Sequence, residues 1–231
     1  MPPKRPKIVE PPKVGLWRVG RSPDPLRFSD PLDPGLLENR TTGNRFDSPT
    51  GDYRVCYFAT TVEACFGETL SRFRPDPGLS AAANEEGFMA LGEVPADWRH
   101  RRLAVRAVPA SSKAIPVVRF LDVEAAETRA LLRNELGELL AYYGYSDLDV
   151  PTVRGGDRRI TRWIGRWAYE QRDADDRLKY TGIRYLSRLS SGWECWALFE
   201  DAALEEQERR PITRDDPALT RIAELYGLTV F

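Results

Sequence analysis

Residues 43–68 constrain the fold of this chain more than any other stretch. Their sequence, GNRFDSPTGDYRVCYFATTVEACFGE, encodes three consecutive elements. Turn-forming residues surround Arg45 and predict a loop. Residues 53–59 then alternate in a pattern that predicts a strand, with Tyr57 on the same face as Tyr53 and Val55.

The third element of this stretch is a helix that begins at Thr60. Glu63 follows three residues later, and this spacing is the signature of a capping box. Apolar residues recur at helical spacing after it, and Glu68 falls just outside their stripe. A carboxylate at the margin of a buried face can point into a cleft without being fully desolvated.

The charge balance excludes functions that depend on a large net charge. The 231 residues contain 34 Lys and Arg against 35 Asp and Glu, a net charge of −1. Such a chain has no electrostatic footprint for nucleic acid or for an acidic membrane. Two basic clusters, residues 98–106 and 154–166, are interpreted as solvated faces, with an anion site as the alternative.

The scarcity of histidine excludes several kinds of catalysis. The single histidine, His100, lies in a polar stretch, so Ser-His-Asp, Cys-His and multi-histidine metal sites are not expected. The three cysteines have no metal-binding spacing and are interpreted as buried thiols in a reducing compartment. No apolar run approaches membrane-spanning length. We therefore expect a cytoplasmic protein with neither a metal nor a membrane partner.

The remaining pattern predicts one α+β domain with mixed strands and flanking helices. Residues 1–13 are interpreted as a flexible tail, residues 20–42 and 147–156 as loops, and the segment after residue 200 as a polar linker before a last helix. Further strands are predicted over residues 14–19, 87–94, 103–108, 116–121, 181–187 and 193–200. Further helices are predicted over residues 124–143, after a cap at Asp157, and over residues 217–226.

Four blocks of this sequence together resemble the RES domain family. The blocks are LWRV, GNRF, YRVCYFATTVEACFGE and TGIRYLSRLSSGWECWALF, and they fall within residues 14–200. The resemblance implies a domain over residues 14–231, of which residues 201–231 form a C-terminal extension. It also implies a fold like that of ADP-ribosyltransferases of the diphtheria-toxin type. Members are commonly toxins of bacterial toxin–antitoxin pairs.

What the resemblance implies chemically is degradation of NAD+. In that family the nicotinamide–ribose bond is cleaved by water or by inorganic phosphate, with NAD+ as substrate and no further cofactor. The partner in related systems is a helix-turn-helix antitoxin whose C-terminal segment blocks the NAD+ cleft. Self-association and the role of the extension stay open.

The resemblance also implies roles for five residues. Glu68 matches the catalytic carboxylate, while Arg45 and Arg18 match residues that hold phosphate or ribose oxygens. Tyr57 matches a residue that lines or stacks on the nicotinamide, and Ser187 matches one that orients the substrate. Ser190 and Ser191 are alternatives to Ser187, and Arg188 is a further candidate for an anion contact.

The chemistry suits these residue types independently of the resemblance. Departure of nicotinamide leaves an oxocarbenium-like centre on the ribose, which a preorganised carboxylate stabilises. The leaving group already carries a positive charge, so no general acid has to protonate it. Two other functions stay open: a mono-ADP-ribosyltransferase acting on a macromolecule, and a binding module that has kept the scaffold without turnover.

Overall fold

The computed structural model describes residues 5–78 and 92–231, and they form a mixed α+β domain. The strands are β1 (Ile8–Val9), β2 (Leu16–Arg21), β3 (Val55–Ala59), β4 (Gly92–Glu93), β5 (Arg102–Ala110), β6 (Phe120–Asp122), β7 (Gly182–Leu186), β8 (Glu194–Phe199), β9 (Ala203–Pro211) and β10 (Leu228–Thr229). The helices are α1 (Val62–Leu70), α2 (Ala126–Glu135), α3 (Gly137–Tyr142), α4 (Val150–Arg154), α5 (Arg159–Glu170) and α6 (Pro217–Tyr226).

One eight-stranded sheet organises the domain, in the order β1-β6-β7-β8-β3-β2-β5-β9. Its neighbours pair antiparallel except β6 and β7, which are parallel. Strands β4 and β10 form a separate parallel pair. The predicted α+β class is therefore confirmed. The strand of the 43–68 stretch, β3, lies inside the sheet between β2 and β8.

The alternation read from β3 corresponds to two buried faces. Val55 and Ala59 belong to the main core together with Tyr53, whereas Cys56 and Phe58 belong to a second, smaller core on the opposite face. A strand buried on both sides needs apolar residues at nearly every position, and VCYFA meets that need. Because β3 is held from both faces, the elements that follow it have a rigid base.

Both ends of the chain are more ordered than the sequence indicates. Ile8 and Val9, within the expected flexible tail, pair with Leu121 and Phe120, so this part of the tail is anchored to the sheet. The expected polar linker after residue 200 is wrong for Ala203–Pro211, which form β9, an edge strand of the sheet that pairs with β5. A charged sequence such as ALEEQERRP suits a sheet edge, where charge discourages pairing with another chain.

Two other predicted boundaries differ from the structure. The single helix expected over residues 124–143 is divided into α2 and α3, because Leu136 leaves helical geometry with φ −107° and ψ 19°. The loop expected over residues 147–156 contains α4, capped by Asp149, which accepts the N–H of Thr152 at 2.9 Å. Of the strand expected over residues 87–94, only β4 lies within the described residues.

The C-terminal extension packs against the helix that carries Glu68. Helix α6 lies on α1, and Arg221 pairs with Glu63 of α1 at 2.6 Å. Tyr226 at the end of α6 contacts the ring of Trp193 edge-on, with centroids 6.4 Å apart. The extension therefore braces α1 from the outside. Within the described part of the chain, no helix has the length and apolar character that a bilayer crossing requires.

Candidate active site

Helix α1 begins one residue later than the sequence predicts. Its N-cap is Thr61, whose hydroxyl accepts the N–H of Ala64. The hydroxyl of Thr60 is already engaged, since it bonds Glu194 Oε2 at 2.7 Å and accepts from the indole of Trp196. The N–H of Thr60 also bonds the Glu194 carbonyl at 3.0 Å, so Thr60, directly after β3, is held against the start of β8.

Glu68 lies in the last turn of α1 and is exposed. The preceding residue, Gly67, allows α1 to approach Trp193 very closely. A Cβ added at Gly67 would lie 2.2 Å from the Trp193 ring, so only glycine permits this contact. The closeness of α1 to β8 therefore fixes where the Glu68 carboxylate begins.

Ser187 meets Glu68 from the opposite side. It follows β7 directly and is buried. Its hydroxyl accepts the N–H of Leu189 at 2.9 Å and donates its proton to Glu68 Oε1. Because a hydroxyl has one proton, the bond from Leu189 orients that proton toward the carboxylate.

Arg45 is fixed by three backbone carbonyls at the C-terminal end of α4, two within the helix and one directly after it. Its Nη1 bonds the carbonyls of Val153 at 2.5 Å and Gly155 at 3.1 Å, and its Nη2 bonds that of Arg154 at 3.1 Å. Burial lowers the pKa of Arg45, and the negative charge of Glu68 acts in the opposite direction. The guanidinium remains charged, since even a lowered arginine pKa lies far above neutrality.

The loop around Arg45 is held by a buried carboxylate, Asp47. Asp47 accepts the backbone N–H of Asn44 at 2.6 Å and the hydroxyl of Tyr57 at 3.1 Å. Tyr57 in turn accepts the N–H of Phe46 at 3.0 Å. Burial raises the pKa of Tyr57 well above its usual value, and the charge of Asp47 adds to that effect. Tyr57 is therefore neutral, and its side chain is held in a fixed position.

Arg18 is also bound to backbone carbonyls. Its Nε bonds the Pro25 carbonyl at 2.7 Å, and its Nη1 bonds the Tyr57 carbonyl at 2.8 Å. A third, longer contact of 3.5 Å joins Nη2 to the Arg27 carbonyl. Arg18 therefore ties the loop after β2 to β3.

These elements enclose a cavity of about 320 Å³. Its described charged lining is four arginines and one carboxylate, namely Arg18, Arg45, Arg158, Arg188 and Glu68. Uncharged lining comes from Tyr57, Tyr185, Ser29, Thr69, Cys65 and Cys195 among others. Such a cavity favours an anionic ligand and places one carboxylate against it.

Arg158 and Arg188 differ from the other two arginines. Neither makes a side-chain hydrogen bond or ion pair with any residue in 5–78 or 92–231. Arg158 is half-buried just before α5, and burial lowers its pKa; the nearby charge of Asp47 opposes the decrease, and those of Arg162 and Arg188 add to it. Arg188 is exposed. Two guanidinium groups without partners thus face the same cavity.

Cys65 and Cys195 line the cavity as neutral thiols. Burial raises the pKa of Cys65 to about 12, and the nearby charge of Arg18 is too weak to reverse that shift. Burial likewise raises the pKa of Cys195. A thiol rather than a thiolate is present at neutral pH, so neither residue is a nucleophile there.

The structure brings all five predicted site residues together. Arg18, Arg45, Tyr57 and Glu68 line the cavity, and Ser187 lies behind Glu68 and bonds it. The alternative serines have other contacts: Ser190 Oγ accepts the N–H of Gly192 at 3.3 Å, and Ser191 Oγ contacts Arg154 at 3.3 Å.

Sequence reasoning missed Arg158 as a cavity residue. The signal was the basic cluster at residues 154–166, interpreted as a solvated face. That interpretation is wrong for Arg158 and for Arg162, which is 0% exposed and bonds the carbonyls of Leu37 and Asn39 at 2.8 and 3.0 Å. The anion-site alternative describes Arg158 better.

Comparison with known proteins identifies the family. The RES domain matches residues 15–220. This chain belongs to the RES domain family. The match extends into the segment after residue 200, so β9 lies inside the family domain. No curated protein matches this chain.

One solved structure is similar in shape. It is described as the crystal structure of the M. tuberculosis MbcT–MbcA toxin–antitoxin complex. The two chains are 13% identical, the alignment covers 95% of this chain and 92% of the other, and the TM-score is 0.44.

Proposed function

We propose that this RES domain protein cleaves NAD+ at the nicotinamide–ribose bond, with water or inorganic phosphate as acceptor, and acts as the toxin of a toxin–antitoxin pair. The observation that carries the proposal is the pairing of Glu68 with Ser187 in a cavity whose other described charges are all arginine. One carboxylate among cations suits a substrate that has a dianionic pyrophosphate and develops positive charge at one reacting centre.

Glu68 is the residue that acts on the reacting centre. As the nicotinamide leaves, positive charge develops on C1 and the ring oxygen of the ribose. A fixed carboxylate next to that charge lowers the barrier without reorganising during the reaction. Oε1 is occupied by Ser187, whereas Oε2 has no partner among the described residues and is available to the ribose.

Ser187 positions this carboxylate. The bond from Ser187 reduces the rotational freedom of Glu68, which is otherwise an exposed side chain. An exposed glutamate populates several rotamers, and holding one of them before the substrate arrives removes that entropic cost from the reaction. This assigns Ser187 to the orientation of Glu68 rather than to nucleophilic attack.

The arginines bind the pyrophosphate in this proposal. A guanidinium has five N–H donors in a planar fork that matches phosphate oxygens. Arg18 and Arg45 each use three hydrogen bonds on carbonyls, which leaves only part of each fork for a ligand. The guanidinium forks of Arg158 and Arg188 make no hydrogen bond to the described residues. We therefore assign the stronger phosphate contacts to Arg158 and Arg188.

The test is nicotinamide release by the purified chain. NAD+ is incubated with folded protein, with and without inorganic phosphate, and nicotinamide and the second product are separated by chromatography. Hydrolysis yields ADP-ribose, whereas phosphorolysis yields its 1″-phosphate. No nicotinamide under either condition would refute the proposal. Radiolabel from the ADP-ribose part of NAD+ that stays on a macromolecule would favour the mono-ADP-ribosyltransferase. Binding of NAD+ without turnover would favour the binding module.

The decisive variant is Glu68→Gln, which keeps size and removes the charge. We expect kcat to fall by on the order of 10²–10³, as when a preorganised electrostatic group is removed from other active sites. Glu63→Gln is the matched control, because Glu63 lies on the same helix and pairs with Arg221 outside the cavity. Equal activity of Glu68→Gln and the wild type would contradict the assignment.

Two further parts of the proposal concern fold and partner. We propose that the sheet and flanking helices correspond to the fold of ADP-ribosyltransferases of the diphtheria-toxin type. We also propose a helix-turn-helix antitoxin as partner, whose C-terminal segment covers the cavity. Inhibition of nicotinamide release by that partner, and loss of inhibition when its C-terminal segment is deleted, would support this arrangement.

A further inference from the structure

Glu124 forms a link between two parts of the structure that both reach the cavity. Its side chain is 8% exposed, and it follows β6. Oε1 accepts the N–H of Leu186 at 2.9 Å. Oε2 pairs with Arg154, at 2.8 Å from Nη2 and 3.0 Å from Nε. One carboxylate thus holds the end of β7 and the end of α4.

The Arg154 side of this link supports Arg45. The backbone carbonyl of Arg154 is one of the three that bind the Arg45 guanidinium. Helix α4 has only five residues, and so short a helix has little stability of its own. The ion pair between the Arg154 side chain and Glu124 fixes this turn to the body of the domain.

The Leu186 side of the link supports Ser187. Leu186 immediately precedes Ser187, and Ser187 donates to Glu68. Arg154 Nη1 also contacts Ser191 Oγ at 3.3 Å, in the turn between β7 and β8. The Glu124 and Arg154 side chains together therefore restrain Arg45 and Ser187, the serine that orients Glu68.

We propose that Glu124 and Arg154 are a positioning pair that sets Arg45 and Ser187 relative to each other. Neither side chain lines the cavity, so both act through other residues. The inference depends on the proposed function only for its kinetic test. Their contacts predict two separable effects, one through the Arg45 carbonyls on substrate binding and one through Leu186 on the orientation of Glu68.

The kinetic test compares Glu124→Gln with Glu124→Ala. Glutamine keeps an oxygen for the Leu186 N–H but loses the charge that holds Arg154. We expect KM for NAD+ to rise roughly fivefold, because the change weakens one charge-assisted hydrogen bond. We expect kcat to stay within about twofold of wild type, because the contact to Leu186 remains. Alanine removes both contacts, so we expect kcat to fall as well, by roughly tenfold.

Glu200→Gln is the matched control. Glu200 has the same pair of contacts elsewhere, since it accepts the Arg54 N–H at 3.0 Å and pairs with the Arg54 guanidinium at 3.1 Å. Neither residue lines the cavity. Wild-type KM and kcat are expected for this variant. Parallel changes in KM and kcat for both Glu124 variants, or an equal effect of Glu200→Gln, would overturn the inference.

A second measurement needs no turnover. In Arg154→Lys the charge remains and the two-nitrogen contact is lost. Hydrogen exchange of the folded variant, without substrate, should accelerate in residues 44–47 and 186–191 relative to wild type and Glu200→Gln. Unchanged exchange in both segments would refute the coupling. A wild-type chain inactive on NAD+ would refute the proposed function and leave this result to decide the inference.

Discussion

The two pairs of arginines in the cavity are held in opposite ways. The guanidinium groups of Arg18 and Arg45 each donate three hydrogen bonds to backbone carbonyls, whereas those of Arg158 and Arg188 donate none to the described residues. A guanidinium bound to carbonyls is part of the architecture and stabilises the loops around it. The half-buried Arg158 guanidinium, which has no hydrogen-bond partner among the described residues, carries a desolvation cost that a bound anion would offset, whereas the exposed Arg188 carries a smaller one.

This comparison separates stability from binding. Removing a fixed arginine should leave several carbonyls without donors, so the fold suffers along with the site. Removing a free arginine should relieve repulsion, because Arg158 and Arg188 each lower the pKa of Arg45 and lie in one cavity. The same chemical group at the same site is thus expected to give opposite stability changes.

The largest stability effect is expected for Arg45→Ala. Three carbonyls lose their donor, and we expect the free energy of unfolding to fall by about 2–3 kcal/mol, since water replaces part of what is lost. Activity should fall with it. Urea denaturation measures the change, and Arg133→Ala, whose side chain pairs with Asp147 at the surface, is the control. If the free energy of unfolding falls no further than in Arg133→Ala, then Arg45 does not stabilise the fold through these carbonyls.

A smaller, purely functional effect is expected for Arg158→Ala and Arg188→Ala. Each should raise KM for NAD+ by roughly tenfold, which corresponds to about 1.4 kcal/mol. The free energy of unfolding should stay constant or increase slightly in both. Steady-state nicotinamide release and urea denaturation of the same samples give the two numbers. A clear loss of stability in either variant would show that the free arginines have structural partners after all.

The smallest effect concerns two buried thiols, Cys56 and Cys65, and their exclusion from water. Burial raises the pKa of Cys56 to about 11 and that of Cys65 to about 12. A group whose folded-state pKa is raised stabilises the fold below its unfolded pKa, about 9 for a thiol, and loses that contribution as the pH rises toward the folded value.

The unfolding free energy should therefore decrease above pH 9, by up to about 1 kcal/mol per pH unit for each thiol. Denaturation curves between pH 8 and about 9.5 measure this, because the buried tyrosines, whose unfolded pKa is about 10, contribute mainly above that range. The double variant Cys56→Ala, Cys65→Ala should show a shallower decrease over the same range. An identical slope in both proteins would mean that water reaches these thiols.

Sequence reasoning succeeded where neighbours along the chain determine the structure. The helix Pro217–Tyr226 has its cap at Asp216, proline at its first position and glycine after its last residue, and it was predicted with the observed bounds. The alternation in β3 likewise reports its two buried faces directly. In both, the deciding signal is a pattern of residues only a few positions apart.

It failed where a distant partner determines the structure. The sequence of β9 is polar enough to be a linker, and it becomes a strand because β5 offers a free edge. Arg162 occurs in a basic helical stretch typical of solvent, but the loop carbonyls 120 or more residues away bind it. Arg158 enters the cavity for the same kind of reason, since only the folded chain brings α5 beside Tyr57 and Asp47.

The separation between Glu68 and Ser187 has a consequence for the synthesis of the protein. These two residues are 119 positions apart, and β7 and β8 must be inserted next to β3 before they meet. A chain growing on the ribosome therefore carries Glu68 and Arg45 long before it carries an assembled site. Under the proposed function, the chain would therefore not consume NAD+ throughout most of its own translation.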